Sequence, residues 1–325
     1  MPRWFQKIEL NCQKKYRFSI CSLSEILIMK YKSLKINRFG YYEISPKPSY
    51  ADLKEYYNLK YYQNQSGNYR NNYSSDEITF FKNKEVQKLY ILEKCLNFSK
   101  SNILDIGCGE GFSIGHFYKE GWDVLGIDFS SFGIKNNNPE MENFFIEGDL
   151  IDIMKDLHRN SKLFKVITLN NLLEHVLDPE YTIELACSLL DPKGVLIIEV
   201  PNDFSNFQRF LKDNQFINDD FWVAYPDHLS YFTKTSLNNL LTSKNMIEVF
   251  SLADFPIDIF LSNPQSNYVA DKTKGKDAHL SRILVDNFLN NESIEKTIKL
   301  YEAMAQIGFG RQIISFFKKN IESEI

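Results

Sequence analysis

Between Asn102 and Pro201 short apolar runs alternate with amphipathic stretches. Asn102–Ile106, Trp122–Asp128, Asn143–Glu147, Phe164–Asn170 and Gly194–Pro201 read as strands, with helices between them. Strands and helices that alternate at this spacing pair in parallel through right-handed crossovers, so the pattern predicts an α/β fold with a doubly wound sheet. Upstream, Ser49 follows the Pro46-Lys47-Pro48 break and can N-cap a helix through 51–57, and the Asn-, Ser- and Gly-rich stretch 63–75 reads as a loop. A helix over 76–98 places Ile78, Phe81, Val86, Leu89, Leu92 and Leu96 on one face. Residues 1–45 have no clean period, and 1–95 together form an N-terminal accessory, largely helical segment. Downstream come an aromatic loop (203–233), a helix over 234–244 and a strand over 247–253, which close a core spanning 96–254. A mostly helical insertion, 255–307, separates that strand from a last one at 310–317, within a closing segment 308–325.

Composition narrows the class. With 325 residues, 43% hydrophobic and 25% charged, the chain has the balance of a globular protein of about two domains. Lys and Arg number 38 against 42 Asp and Glu, so the charge is −4 and no basic excess marks a nucleic-acid backbone as partner. The five cysteines form no C-x-x-C pair and no metal-ligand spacing, which fits a reducing cytoplasmic setting. The most apolar early stretch, Ile20–Met29, is broken by Ser22, Ser24 and Glu25 and falls short of the ~20 residues of a membrane span. It also lacks the order of a signal peptide. No transmembrane segment is expected.

The strongest chemical signal is Ile103-Leu104-Asp105-Ile106-Gly107-Cys108-Gly109-Glu110-Gly111-Phe112, a strand entering a glycine turn and then a helix. Glycines there let the backbone approach a ligand and aim amide donors at it. A nicotinamide fingerprint needs glycine at 112, where Phe112 stands, so that class of sugar enzyme is disfavoured. Asp128 closes the second strand, where a carboxylate can accept both ribose hydroxyls of a nucleoside. Asp149, after the third strand, is placed to accept from an adenine amino group, although a helix N-cap explains it equally well. Asp105, Asp128 and Asp149 thus converge on one crevice from three strand ends.

These residues resemble the class I S-adenosylmethionine-dependent methyltransferases, in particular the group with a ubiquinone-methyltransferase-like core. The resemblance spans about residues 95–250. It rests on the glycine loop, Asp128, Gly148-Asp149, Phe164 through Pro179 with Asn170-Asn171 and Glu174-His175, and Leu190 through Pro201, in the family's order. It implies a Rossmann-like, mostly parallel sheet with an antiparallel last strand, and S-adenosylmethionine as cofactor, leaving S-adenosylhomocysteine. Gly107, Gly109 and Gly111 with Asp105 would cradle the methionine part. Asp128 and Phe129 would hold the ribose, Asp149 and Leu150 the adenine, and Asn170 and Asn171 would face the sulfonium. In quinone O-methyltransferases a carboxylate three residues before the Glu-His pair helps bind a divalent metal. Asn171 occupies that position here, so no metal is expected.

The flanks are more loosely similar to methyltransferases found among bacterial surface-polysaccharide enzymes, through Tyr56-Tyr57, Lys60 to Gln63, Asp227 to Phe232, Ala253 to Asp258 and Ser266 to Tyr268. That likeness implies a sugar or nucleotide-sugar acceptor, methylated on a hydroxyl or an amine. The rivals are a quinone or phenol O-methyltransferase and a non-catalytic protein that keeps the fold for binding. An alcohol acceptor must lose a proton, and His is the usual base near neutral pH. His175 and His228 lie in suitable loops, with His228 slightly preferred. Tyr61, Tyr62, Tyr225 and Tyr231 are candidates to wall the acceptor pocket, where an aromatic face attracts a sulfonium by ~0.5–2 kcal/mol. The insertion 255–307 is expected to cover the acceptor with Asp258, Asn267 and Tyr268 among its contacts, or else to extend the core or build a homodimer.

Overall fold

The computed structural model describes residues 33–63, 73–224 and 226–320, with only the backbone of 57–63. In chain order the elements are β1 (Ser33–Ile36), β2 (Tyr42–Ser45), α1 (Tyr50–Gln63), α2 (Ser75–Tyr90), β3 (Asn102–Ile106), α3 (Phe112–Lys119), β4 (Asp123–Asp128) and α4 (Phe132–Asn137). There follow β5 (Phe145–Glu147), α5 (Leu150–Arg159), β6 (Phe164–Asn170), α6 (Pro179–Leu189), β7 (Leu190–Pro201), α7 (Asn206–Asp213), β8 (Ser230–Tyr231) and α8 (Lys234–Thr242). The last are β9 (Met246–Ala253), α9 (Gly275–Glu292), α10 (Ile294–Gln306) and β10 (Gln312–Lys319).

Seven strands form one sheet in the order β5-β4-β3-β6-β7-β10-β9. The first five pair in parallel, and β10 runs antiparallel to both neighbours. Successive residues of a strand point to opposite faces. Leu104, Ile106, Ile167, Leu169, Leu196 and Ile198 therefore enter one core with α5, α6 and α8, while Ile103, Val166, Val195 and Ile197 enter the other with α2, α3 and α10. Burial on both faces is what makes these strands read as continuous apolar runs. The strand order reverses between β3 and β4 on one side and β6 on the other, and loops at the carboxyl ends there enclose the crevice.

The expected strands are present with small shifts. Residues 143 and 144 end a 3-10 turn (Pro139–Phe144) before β5, and β7 begins four residues early, at Leu190. The helix expected to 98 ends in a π turn at Ile91–Cys95. Two expectations are corrected. Residues 33–45, which show no period, contribute β1 and β2, and these join β8 in a small antiparallel sheet whose partner lies almost two hundred residues away. The insertion does not cover the crevice. Its helix α10 packs on β9, and α9 packs on α2 through Asn83–Asn287 and Gln87–Asn290 hydrogen bonds of 3.0 and 2.7 Å.

α2 is anchored by charge as well as by packing. Ser74 and Glu77 cap its start reciprocally. On the buried side Lys88 Nζ, 1% exposed, reaches Glu85 Oε1 at 2.8 Å and Glu199 Oε2 at 3.0 Å, and Lys84 Nζ reaches Glu199 Oε1 at 2.6 Å. Burial alone would raise the Glu199 carboxyl, but the two ammonium groups hold it well below the usual carboxylate range. Removing one partner of a buried ion pair strands the other, so Lys88→Met should destabilise the fold by about 3–5 kcal/mol in denaturant titration. A loss below about 1 kcal/mol would show that Lys84 alone suffices for Glu199.

Candidate active site

The crevice is a cavity of about 770 Å³, within the usual range of small-molecule sites. The glycine turn forms its floor. Gly107 has φ +75°, a conformation that favours glycine, and a Cβ there would press on the Leu172 side chain at 2.9 Å. A Cβ on Gly133 would lie 2.6 Å from the Gly109 carbonyl oxygen, so this second glycine lets α4 support the turn from behind. Asp105, Gly107, Gly109, Asp128, Phe129, Asp149, Leu150, Asn170 and Asn171 all line the cavity. Gly111 does not; with φ +76° it starts α3 and packs toward Ile134.

Asp128 is 5% exposed and holds the turn in place by accepting from Gly109 N at 3.0 Å and Ser130 N at 3.1 Å. With the Phe129 amide as a third donor, one acceptor position of the carboxylate is left for a ligand. Burial raises its carboxyl to about 6 against these amides. Asp149 is already committed: one oxygen caps α5 at Asp152 N, and the other accepts from Tyr50 Oη at 2.6 Å. Asp105 accepts from Thr168 Oγ1 at 2.6 Å and Asn170 Nδ2 at 3.1 Å, and burial raises it to about 7.

One wall went unread in the sequence. Tyr50 and Leu53 of α1, Tyr73 before α2, and Phe81, Lys84, Glu85 and Lys88 of α2 line the cavity together with Glu199 of β7. Tyr73 hydrogen-bonds Glu110, whose carboxyl burial raises to about 7. Among the described residues, Glu85 Oε2 and Ser113 Oγ have no hydrogen-bond partner although both atoms are buried and both residues line the cavity. Buried polar atoms are rarely left so, and these two suit a ligand that carries its own ammonium and carboxylate. The available signal was two lysines and a glutamate falling on the buried side of α2, together with a glutamate inside an otherwise apolar strand.

Past the end of β6 the chain turns through Asn171 (φ +49°) and brings Glu174, His175 and His228 together, with one ligand atom of each within 4.8 Å of the others. Leu229 N and Ser230 N donate to the Glu174 carbonyl, which holds the His228 loop in place. His175 Nδ1 donates to the Asp227 carbonyl at 2.7 Å, leaving Nε2 as the basic nitrogen of the neutral ring, 3.9 Å from Glu174 Oε1. His175 lines the cavity, whereas the His228 ring stands behind it, 4.8 Å away and edge-on. His228, slightly preferred from the sequence, does not line the cavity.

Asn171 leaves Glu174 and His175 without the expected third ligand, but His228, distant in sequence, stands within reach of both and could serve as one. Glu174 Oε2 is buried with no hydrogen-bond partner, and a Glu-His-His set suits a late first-row divalent ion. An imidazole that donates its other N–H to a carbonyl is the usual arrangement of a metal-ligating histidine.

Several expected acceptor residues lie elsewhere. Asp258 is buried between Gln208 Nε2 and Tyr268 Oη, at 3.0 and 2.7 Å, and Asn267 Nδ2 donates to the Phe216 and Leu261 carbonyls. Tyr231 is fully buried with its hydroxyl on the His228 carbonyl. None of the four lines the cavity, because each satisfies a buried polar group of the fold. Tyr225 and the side chains of Tyr61 and Tyr62 lie outside the described residues.

This sheet order, with a glycine turn after β3 and an acid closing β4, defines the core of a class I S-adenosylmethionine-dependent methyltransferase. The chain belongs to the methyltransferase-domain family, whose model matches residues 81–245. Among curated proteins it is similar to the ubiquinone biosynthesis O-methyltransferase of Coxiella burnetii (strain RSA 493 / Nine Mile phase I), 31% identical over 126 residues, covering 38% of this chain and 53% of that protein. The enzyme of the same name from Pasteurella multocida (strain Pm70) is 31% identical over 134 residues with the same coverage. The chain thus spans about half the length of the curated relatives it matches. Among solved structures, an S-adenosylmethionine-dependent methyltransferase from Archaeoglobus fulgidus aligns at TM-score 0.45 and 21% identity, over 73% of this chain and 94% of that one. A plantazolicin methyltransferase in complex with S-adenosylhomocysteine aligns at TM-score 0.44 and 19% identity, over 76% and 86%.

Two outcomes test the site. Asp128→Ala removes a charged acceptor for ribose hydroxyls and should weaken S-adenosylhomocysteine binding by calorimetry, by about 1.5–3 kcal/mol, with the fold retained. Unchanged affinity in a folded variant would remove Asp128 from the ribose site.

Glu174 gives a pH test. Burial raises its carboxyl from the ordinary 4.5 to about 8, so the folded chain holds this proton more tightly than the unfolded chain. That contribution to stability is complete below pH 4.5 and is lost as pH rises toward about 8. In metal-free protein, Glu174→Gln should therefore gain in melting temperature relative to the parent as pH goes from 5 to 8. A constant gap across that range would show that Glu174 does not titrate there.

Proposed function

We propose that the chain transfers a methyl group from S-adenosylmethionine to a hydroxyl of a small acceptor, with His175 taking the hydroxyl proton. The observation that carries this reading is the placement of His175: it stands in the cavity wall, and the Asp227 carbonyl fixes the tautomer that keeps Nε2 basic. Bound S-adenosylmethionine supplies a methyl group already activated by the sulfonium. The chain's own residues then have two tasks, positioning and proton removal. Asp128 would hold the nucleoside side, and Gly107 and Gly109, with Lys84, Glu85 and Ser113 around them, the methionine end. Orientation of this kind is worth up to ~7–11 kcal/mol, and a general base adds about 10²–10⁴-fold.

The acceptor we favour is phenol-like. Leu172, Val176, Leu177 and Tyr181, next to His175 in the chain, line the cavity along with Asp178 and Thr182, while several polar residues that suited a sugar are buried elsewhere. The names of the curated relatives point the same way. No helix among the described residues is long and apolar enough to cross a membrane.

A second reading rests on the Glu174-His175-His228 cluster, which would hold a divalent ion beside the acceptor. Turnover with a panel of catechols, other phenols and nucleotide sugars separates these possibilities. Activity on phenols should survive chelation, and His175→Ala should lower turnover by roughly 10²–10⁴-fold with S-adenosylhomocysteine binding retained. Loss on chelation with rescue by zinc or manganese would replace the base by the metal site, and turnover confined to nucleotide sugars would overturn the phenol assignment.

A further inference from the structure

Helix α9 buries an unusually polar face. Beside Ala278 and Ile283 its buried positions hold Asp286, Asn287 and Asn290, at 2%, 8% and 9% exposure, while Leu280, Leu284 and Phe288 are exposed at 45%, 67% and 58%. The inward face cannot be exchanged for the outward one, because its polar groups are used. Asp286 accepts from Tyr301 Oη at 2.5 Å, Asn290 from Gln87 Nε2 at 2.7 Å, and Asn287 from Asn83 Nδ2 at 3.0 Å. A helix that spends polar residues inside and leaves three large apolar side chains in one outward row presents the kind of patch that marks a contact surface.

We infer that a second copy of this chain covers it, with two α9 helices crossing antiparallel at Leu284. The outward residues form one i, i+4 row: Lys276, Leu280, Leu284, Phe288 and Glu292. At 1.5 Å per residue that row is about 24 Å long. Rows of this kind incline about −26° to the helix axis, so two of them lie side by side when the helices cross near −50°, the commonest packing class. A two-fold axis at Leu284 sets Leu284 on Leu284, Leu280 on Phe288, and Lys276 on Glu292, twice over. Asp277 then faces Asn291, so no like charges meet.

The charges supply an argument independent of the leucines. Although Asp277 sits favourably in the first turn, Lys276 of this row lies at the start of α9 and Glu292 is its last residue, both the reverse of what the helix dipole favours. Beside an antiparallel copy each charge lies against the opposite end of its neighbour, where the dipole favours it. The row is therefore self-complementary in shape, in charge and in dipole, which is what an isologous contact requires. It consists of an apolar centre with a charged rim. α9 packs on α2, which walls the cavity, so the contact would brace that wall from outside. The inference does not depend on the methyl-transfer reading.

Sedimentation velocity on the full chain over a dilution series tests it. The parent should show a concentration-dependent monomer–dimer equilibrium. Leu284→Asp should sediment as a monomer with unchanged circular dichroism. Lys276→Glu places like charges together at both rims and should raise the dimer dissociation constant roughly tenfold or more, and adding Glu292→Lys should restore it. A monomeric parent at all concentrations, whatever else covers the row, overturns the proposal. So does a dimer indifferent to Leu284→Asp, or a charge-reversed pair that fails to recover. If Leu284→Asp does not fold, the charge-reversal series decides alone.

Discussion

The crevice depends on one buried ammonium group. Lys88 Nζ holds Glu85, Glu199 and, through Asn170 Oδ1 at 2.8 Å, the end of β6. Asn170 in turn donates to Asp105, and Thr168 donates to the same oxygen, so a single chain of hydrogen bonds ties α2 to β7, β6 and β3. Burial would discharge an isolated lysine. Here Glu199 and Glu85 reverse that and hold the ammonium charged. Such a cluster need not add net stability relative to an apolar one, but breaking it is costly, and this makes it a register for where α2 lies. With α2 in place, Lys84, Glu85 and Phe81 face the glycine turn across the cavity and α9 has a surface to rest on.

The sheet was legible because each of its strands is buried on two faces or ends in a conspicuous turn. Asn102–Ile106 and Phe164–Asn170 were read to the residue, since apolar side chains on both faces leave no competing period. β1 and β2 were not legible. They are four residues each, only partly buried, and stable through pairing with β8, a partner too distant in sequence for any local pattern to show. α2 misled in a different way. Its apolar spacing suggested a hydrophobic inner face containing Ile78, yet Ile78 is 47% exposed and the inner face carries Glu85, Gln87 and Lys88. Periodicity assumes that charge points outward, and this helix buries its charges in pairs.

The same asymmetry runs through the site. Backbone-determined features were readable: glycines at positive φ and acids at strand ends advertise themselves in sequence, and Gly107, Asp105 and Asp128 line the cavity. Features made by contact between distant segments were not. Asn171 stands where a metal-binding carboxylate would be expected, and nothing local shows that His228, more than fifty residues on, lies beside Glu174 and His175. Asp258, Asn267 and Tyr268 looked like contacts for a hydroxyl-rich ligand. Their polarity instead serves the fold, because a long insertion must satisfy its own buried carbonyls and amides before it can offer any group to a ligand.

The electrostatics of the crevice follow from this division. Burial lifts Asp105 and Glu110 to about 7 and Asp128 to about 6, so three acids around one cavity sit near the edge of ionisation. Lys84 and Lys88 do not neutralise them, being held by Glu199 and Glu85. A cavity with this balance favours a cationic guest over a neutral one of the same shape, because the guest's charge offsets part of the cost of keeping those carboxylates ionised out of water. A sulfonium donor held there would become a neutral thioether on giving up its methyl group, and Asp105, Glu110 and Asp128 would then lose that counter-charge. An environment of this kind would draw a charged donor in and hold a discharged one less tightly, and His175, whose Nδ1 is fixed by the Asp227 carbonyl, lines the same cavity.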